Sequence, residues 1–287
     1  LQMAIKFTSH GKPIPNGNLL IVDGLNLAFR WKHQGNLDFE HDYVRTVQSL
    51  AKSYNCGEIV VLGDGGSNYR KSIDPQYKAN RKERYAEQTP EEEQEFLDFL
   101  AEFQLTMNTL KEKGYLTLKY QGVEADDIAA HICQQRENLG IDEIWMISSD
   151  KDWDLLVDPK ISRFSTVTRK ETTVHNWDEH YEFEPEYFLT YKCLTGDKGD
   201  NVPGVDGVGP KRATQLIEQY GDVFDIMASL PIEGKYKFIQ NLNEFGSEGL
   251  ETGVKLMDLT YDVDAALLGH GQEIIKLVEN YVSEDRL

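Results

Sequence analysis

Three short apolar runs in this chain each end in an aspartate: Leu19-Leu20-Ile21-Val22-Asp23, Ile59-Val60-Val61-Leu62-Gly63-Asp64 and Ile144-Trp145-Met146-Ile147-Ser148-Ser149-Asp150. Apolar runs this short, bounded by turn residues, read as buried strands, and buried strands joined by helices build a parallel sheet. The carboxyl ends of such strands gather at one edge. A Glu124-Ala125-Asp126-Asp127 cluster lies between the second and third runs, and Asp152, Asp197 and Asp200 follow. Carboxylates that converge stay ionised together only with positive charge among them. All-oxygen donors without a nearby histidine select a hard divalent ion, Mg²⁺ or Mn²⁺, over zinc. Paired divalent ions carry out phosphodiester chemistry.

A plainer reading exists for each acid taken singly. An aspartate after a strand is commonly a turn residue or helix cap, and acids at a helix start complement the helix dipole. The plain reading must hold at three strand ends at once. It must also cover Glu124 with Asp127 and Asp197 with Asp200, two pairs at the same i,i+3 spacing, the second flanked by Gly196 and Gly199.

With 287 residues the chain accommodates one large α/β domain with a helical extension, or two domains. Its apolar runs fall far short of the roughly 20 residues that span a bilayer, and the start lacks the apolar core of a signal peptide. Residues 1–17 read as a flexible lead-in. Cys56, Cys133 and Cys193 match no disulfide or zinc spacing and read as buried apolar residues of a cytoplasmic protein. The net charge of −19 opposes nucleic-acid binding at first sight. The charge is uneven, however: Arg70 to Tyr85 carries a local balance of +4, whereas Ala86 to Glu102 holds seven acids and no base. Either block alone reads as a solvated helix face; together they suggest a segment with one DNA-facing and one solvent-facing side.

Along the chain, Asn18–Asp23 and Glu58–Leu62 are expected strands, with a helix over Asp42–Tyr54 completing a βαβ unit. No strand is expected from Gly65 to Gly114. Thr89-Pro90-Glu91-Glu92-Glu93 has the form of a capped helix start, and Phe96, Phe99, Leu100, Phe103 and Leu110 continue it as an apolar stripe. This insertion predicts a protruding helical element at about 70–112, with the stretch Asp74–Thr89 mobile in the absence of DNA. A short strand at Tyr115–Lys119, a helix over Glu124–Gln135, a strand at Glu143–Ser148 and an edge hairpin around Arg169-Lys170 complete the α/β part, 18–183. A helical region, 184–287, follows. Within it, Gly204-Val205-Asp206-Gly207-Val208-Gly209-Pro210-Lys211 puts glycines where backbone can approach a phosphate, followed by a helix start and a lysine. A helix C-cap before a Pro-initiated helix explains the same glycines; the Lys211-Arg212 pair favours the phosphate.

Six ordered motifs carry a resemblance: Val22-Asp23-Gly24-x-Asn26, Gly63-Asp64 with Arg70 beyond, Tyr77-Lys78-x-Asn80-Arg81, Gly122-Val123-Glu124-Ala125-Asp126-Asp127, Ser149-Asp150-x-Asp152-Trp153-Asp154, and Gly196-Asp197-x-x-Asp200-Asn201-x-x-Gly204-Val205-x-Gly207-x-Gly209. From about Asn18 to Asn243 the chain resembles the 5′-nucleases, the group of flap endonucleases and of the 5′-nuclease part of bacterial DNA polymerase I. In order, spacing and length it is most similar to the stand-alone flap endonuclease/5′-exonuclease branch of T-five-like bacteriophages. The resemblance implies a twisted, parallel-type sheet of PIN-like fold with a helical arch and a helix-three-turn-helix at about 192–220.

It further implies a structure-specific 5′-flap endonuclease and 5′-3′ exonuclease acting by two metal ions in phage-type DNA replication. Asp23, Asp64, Glu124 and Asp126, with Asp127 nearby, correspond to the tighter metal site, and Asp150, Asp152, Asp197 and Asp200 to the second. Lys78 and Arg81 correspond to the basic pair that steers the scissile phosphate, with Asp150 and Asp197 counted beside them as catalytic. Arg70, Tyr77, Lys192, Gly207, Gly209 and Lys211 fall at DNA-contacting positions, Tyr77 stacking on the terminal base. The carbonyls of Val202, Val205 and Val208 correspond to a K⁺ site. The expected cofactor is Mg²⁺, two ions, with Mn²⁺ substituting. The expected partner is flap, nicked or single-strand/duplex junction DNA, bound by a monomer in the cytoplasm of the infected host and at no membrane. One departure stands out: where many relatives carry a lysine after the second-strand aspartate, this chain has Gly65-Gly66. A PIN-like ribonuclease uses a similar acidic pocket, and an inactive DNA-binding module is a third reading. The basic arch and Gly-rich hairpin favour DNA, and the full set of nine carboxylates favours turnover.

Overall fold

A computed structural model describes residues 17–284, so the expected lead-in lies outside the described residues except for Gly17. Two compact units emerge. The first comprises 17–67, 88–173 and 262–284; the second comprises 68–87 and 174–261. This division departs from a single cut at 183/184: the start of the insertion groups with the helical unit, and the C-terminal segment groups with the sheet.

The sheet unit contains β1 (Leu19–Asp23), α1 (Gly24–Lys32), α2 (Glu40–Ser53) and β2 (Glu58–Leu62). Of the insertion, α3 (Asn68–Ile73) and α4 (Ala79–Ala86) belong to the helical unit and α5 (Pro90–Glu112) to the sheet unit. The sheet unit continues with β3 (Leu116–Leu118), α6 (Ala125–Gln134), β4 (Ile144–Ile147), a 3₁₀ turn (Lys151–Leu156), β5 (Ile161–Ser165) and β6 (Lys170–Thr172). The strands lie in the order β3-β2-β1-β4-β5-β6. All neighbours are parallel except the β5–β6 hairpin at the edge. Every residue of β1 and β2 is buried, as both faces of a helix-covered parallel sheet require.

Leu20, Val22, Ile59 and Val61 face Trp31, Phe39, Tyr43, Phe99 and Phe103 from α1, α2, α5 and the turn before α2. Removing a buried ring such as Phe99 costs about 3–5 kcal/mol. α5 starts in a full capping box: the Thr89 hydroxyl accepts from the Glu92 amide at 3.2 Å, and the Glu92 carboxylate accepts from the Thr89 amide at 2.9 Å. Gly24 is needed for close approach, because a Cβ there would lie 2.6 Å from the Leu62 carbonyl oxygen. α11 (Val263–Ala266) and α12 (Gly271–Glu284) return to this unit, α12 packing on α6 and β3.

The helical unit contains α3, α4, α7 (Phe188–Thr195), α8 (Pro210–Tyr220), α9 (Val223–Ser229) and α10 (Lys237–Met257). Leu194, Val205, Ala213, Leu216, Ile226, Leu242 and Leu250 form its core. Between α7 and α8 the chain doubles back, Asp197 and Val202 exchanging backbone hydrogen bonds of 2.8 and 2.7 Å. Gly196 and Gly204 meet at this crossing: a Cβ on either would come within about 2.4 Å of the other's amide nitrogen. Those two glycines therefore serve the chain's own close approach. Gly209, with nothing within 4 Å of a built Cβ, leaves open space before α8, and Gly207 holds a φ of +78° that favours glycine. All three cysteines are free and buried. No described helix is long and apolar enough to cross a membrane.

Candidate active site

The sheet register aligns the acids. Asp23 pairs with Leu62, and Val22 with Ile147, so Asp64 and Asp150 each lie two residues beyond the level of Asp23 on the flanking strands. β3 pairs with β2 at Leu62–Leu118, so the loop after β3 and the start of α6, with Glu124, Asp126 and Asp127, belong to the same edge. Seven of the nine expected carboxylates thus belong to the sheet unit.

Asp23 is the buried centre of this group. Its carboxylate accepts from the Ser148 hydroxyl at 2.7 Å and from the Asn26 amide at 3.4 Å. Burial first, then the charges of Asp150 and Asp64, push its pKa up to about 7, against the lowering effect of those two hydrogen bonds. The electrostatics therefore place Asp64 and Asp150 within reach of Asp23. Asp64 is exposed and closes a turn through the Gly66 amide at 2.9 Å. Asp150 likewise accepts from the Asp152 amide at 2.9 Å. Glu124 and Asp127 are buried, and Asp126 accepts from the Trp153 indole at 2.6 Å.

Gly65 explains the departure from the family pattern. Its amide donates to the Val123 carbonyl at 2.9 Å, and its carbonyl accepts from the Gly122 amide at 2.7 Å. A Cβ at position 65 would lie 1.7 Å from the Tyr120 carbonyl oxygen. The loop carrying Asp64 is thus laid directly on the loop leading to Glu124, and only glycine permits it.

Sequence reasoning gave no role to the residues that hold these acids in place. Ser148 orients Asp23, and the Asn26 side-chain carbonyl accepts from the Ser149 amide at 2.9 Å. Asp154 is a buried partner of Arg163, whose guanidinium also donates to the Ser148 carbonyl at 3.1 Å. The polar Ser148-Ser149 ending of an otherwise apolar strand was the available signal.

The helical unit holds Asp197 and Asp200 in a different electrostatic setting. Lys192, itself buried, bridges Asp197 at 3.0 Å. Burial raises the Asp197 pKa, but the Lys192 charge and hydrogen bond and the amides of Asp200 and Gly199 outweigh it, leaving a net lowering. Asp200 receives Arg81 at 2.6 Å, Lys78 at 3.5 Å and the Tyr77 hydroxyl at 3.0 Å. The Lys78 amide adds a bond to the Asp200 carbonyl at 2.8 Å.

Two expected DNA contacts are corrected by burial. Arg70 is 2% exposed, with its Nε donating to the Leu256 carbonyl at 2.8 Å, so its guanidinium is a packing element of α3 against α10. Tyr77 is 4% exposed within the helical core, which leaves no ring face for a base to stack on. It also anchors the start of the Asp74–Thr89 stretch, which the sequence had left with few core contacts. Lys211 and Gly207 are exposed, as is Gly209 at the N-terminus of α8. The Gly207 carbonyl accepts from Arg212 at 2.6 Å.

A parallel sheet with buried acids at its carboxyl edge, followed by paired helices around a Gly-rich crossing, defines a nuclease class, and family comparison agrees. Residues 18–184 match the 5′-3′ exonuclease N-terminal, resolvase-like domain, and 183–270 match the 5′-3′ exonuclease C-terminal SAM fold. The chain belongs to the 5′-3′ exonuclease family and is a 5′-nuclease. Among individual relatives, it is 44% identical to the flap endonuclease of Escherichia phage T5 over 266 residues, 90% of this chain and 89% of that protein. It is 31% identical to thermostable DNA polymerase I of Thermus aquaticus over 75% of this chain, but spans only 26% of that polymerase. A solved T5 5′-exonuclease with bound divalent zinc ions aligns with a TM-score of 0.85 at 41% identity, covering 94% of this chain and all (100%) of that one. A pseudo-enzyme-product complex of the T5 D15 flap endonuclease with DNA and metal ions aligns equally well, at 0.85 and 40% identity, covering 94% of this chain and 99% of that one.

Proposed function

We propose that this 5′-nuclease is a structure-specific flap endonuclease and 5′-3′ exonuclease of phage-type DNA replication, using two Mg²⁺ ions, for which Mn²⁺ substitutes. The observation that carries the metal reading is Asp23: a buried carboxylate whose environment supplies two further carboxylates and pushes its proton affinity up to about 7. That arrangement is unfavourable for an ionised acid and favourable for one that exchanges its proton for a divalent cation. The donors at this edge are carboxylate oxygens, the set a hard ion takes.

Asp23, Asp64, Glu124, Asp126 and Asp127 are proposed to hold divalent metal, as are Asp150 and Asp152 after β4. Asp197 and Asp200 are proposed as ligands from the helical unit. Bound divalent ions supply the counter-charge for a scissile phosphate and acidify a water. The protein's own part is positional. Ser148 and the Asn26 amide fix the Asp23 oxygens, Trp153 fixes one oxygen of Asp126, and the Gly65 contact holds Asp64 beside the Glu124 loop. Lys78 and Arg81 provide positive charge for the phosphate, stored against Asp200 in the free protein. Lys192 neutralises Asp197 and so keeps a second acidic pair from opposing DNA. Lys211 and the open backbone at Gly207 and Gly209 offer duplex contacts at a helix N-terminus. A K⁺ ion on the Val202, Val205 and Val208 carbonyls belongs to the same proposal. The Val202 and Val205 carbonyls already accept one internal bond each, so the ion takes a second lone pair. The phage T5 complex with DNA and metal ions supports the reading by similarity.

The test is a labelled 5′-flap substrate incubated with Mg²⁺, Mn²⁺ or chelator, with product lengths read on a gel. Short 5′ products in either metal and none in chelator are expected. Cleavage undiminished by chelator overturns the metal reading, and preference for a matched RNA flap overturns the DNA reading.

A further inference from the structure

The C-terminal segment, 262–284, rejoins the sheet unit after the chain has passed through the whole helical unit. Its apolar side is short and regular: Ile274, Val278 and Val282 repeat every four residues and are all buried. α12 contacts the edge strand β3 and α6. It is tied at both ends. Near its C-terminus the Tyr281 hydroxyl accepts from the Ile59 amide of β2 at 3.4 Å. At its N-terminus, the His131 ring on α6 bonds the Gly271 carbonyl at 3.0 Å, and the His270 ring lies on the Tyr120 ring with centroids 4.5 Å apart. His270 is in turn oriented by Glu273 at 3.2 Å.

Tyr120 is the informative contact. Its carbonyl oxygen is the atom that forbids a side chain at position 65, next to Asp64. Its chain continues through Gly122, which donates to the Gly65 carbonyl, and Val123, which accepts from the Gly65 amide, into Glu124. The ring that His270, immediately before α12, lies on thus belongs to a residue between the Asp64 loop and the start of α6. The Tyr120 carbonyl also accepts from the Val123 amide at 3.2 Å, so a displacement of Tyr120 is passed through Val123 and Gly122 to Gly65 and the start of α6.

We propose that the α11–α12 segment is a strut for the carboxylate loops, acting through the His270–Tyr120 contact, and that His270 is a positioning residue for divalent-metal binding. This rests on the metal reading given above. Ligand-orienting neighbours typically cost 10–100-fold in metal affinity when removed. His270 acts one layer further out, so His270→Ala is expected to weaken Mn²⁺ binding by roughly three- to tenfold. His270→Phe, which keeps a ring against Tyr120, is expected to restore it. Val282→Ala, at the far end of α12, is the control: it lowers the melting temperature without changing Mn²⁺ affinity well below that temperature.

The experiment is calorimetric titration of the full chain with Mn²⁺ in the absence of DNA, with thermal melting recorded for each variant. Weakened binding in His270→Ala, recovery in His270→Phe and unchanged binding in Val282→Ala support the strut. Equal binding by wild type and His270→Ala overturns it. So does a loss in Val282→Ala matching that in His270→Ala, which would make the effect one of general stability. Absence of Mn²⁺ binding by the wild type overturns the metal reading itself, a separate result.

Discussion

Asp23→Asn in the metal-free protein isolates the electrostatic tension at the sheet edge. The Asp23 pKa is raised from 3.8 to about 7, burial being the largest cause. Between those values the folded state binds a proton that the unfolded state releases. The stabilisation is complete below the unfolded value and disappears as pH rises through the folded one. About 3 units at about 1.4 kcal/mol each give a ceiling of about 4 kcal/mol. Most of that range, about 2.5 kcal/mol, falls between pH 5 and pH 8. Asparagine is always neutral and close in shape, and the Ser148 hydroxyl can turn to pair with either end of its amide. The assay is urea unfolding of wild type and variant in chelator at both pH values. The variant's stability advantage over the wild type should grow by about 2.5 kcal/mol between pH 5 and pH 8, the two converging only below the unfolded value of 3.8. A difference between the two proteins that does not change with pH would refute the reasoning, since every other titrating group is common to both.

Gly65→Ala should cost about 1–3 kcal/mol in stability and reduce cleavage sharply, because the Tyr120 carbonyl must withdraw from a Cβ built 1.7 Å away; unchanged unfolding and unchanged activity would contradict the loop contact. Asp197→Asn should abolish most cleavage while leaving flap binding in chelator intact, as measured by anisotropy, because it removes a proposed metal ligand and leaves the Lys192 charge that Asp197 balanced; loss of binding in step with loss of cleavage would count against it. Lys78→Ala should slow single-turnover cleavage more than it weakens binding, and equal losses in both would remove its assignment to the phosphate. Despite the net charge of −19, duplex affinity should fall steeply between low and physiological salt, since phosphate contacts release counterions; a flat titration would exclude Lys211 and its neighbours as a phosphate-binding surface.

The two kinds of sequence signal differed in what they could reveal. Local and periodic signals were legible. The strands ending at Asp23 and preceding Asp64 and Asp150, the capping box at Thr89 and the antiparallel edge hairpin all depend on residues near one another in the chain. Contacts over long separations were not. Arg70 and Tyr77 sit in a basic, aromatic stretch that reads as a nucleic-acid surface, yet one pairs with a carbonyl 186 residues away and the other fills a core. Charge pattern cannot distinguish an exposed guanidinium from one whose partner arrives from a distant helix. The glycines divided in the same way. Gly204 looked like part of a phosphate cradle, but its freedom is used against Gly196, while Gly207 and Gly209 keep theirs for the surface.

By itself, the sequence determined that buried strands would bring acids to one edge, because strand direction and side-chain polarity are properties of short segments. Only the tertiary structure decided which acids are strained and which are already neutralised. Asp23 is buried among carboxylates, whereas Asp197 and Asp200 rest against Lys192, Lys78 and Arg81. A carboxylate's proton affinity depends on which charges lie within a few ångströms and how much water is excluded, and folding alone sets both.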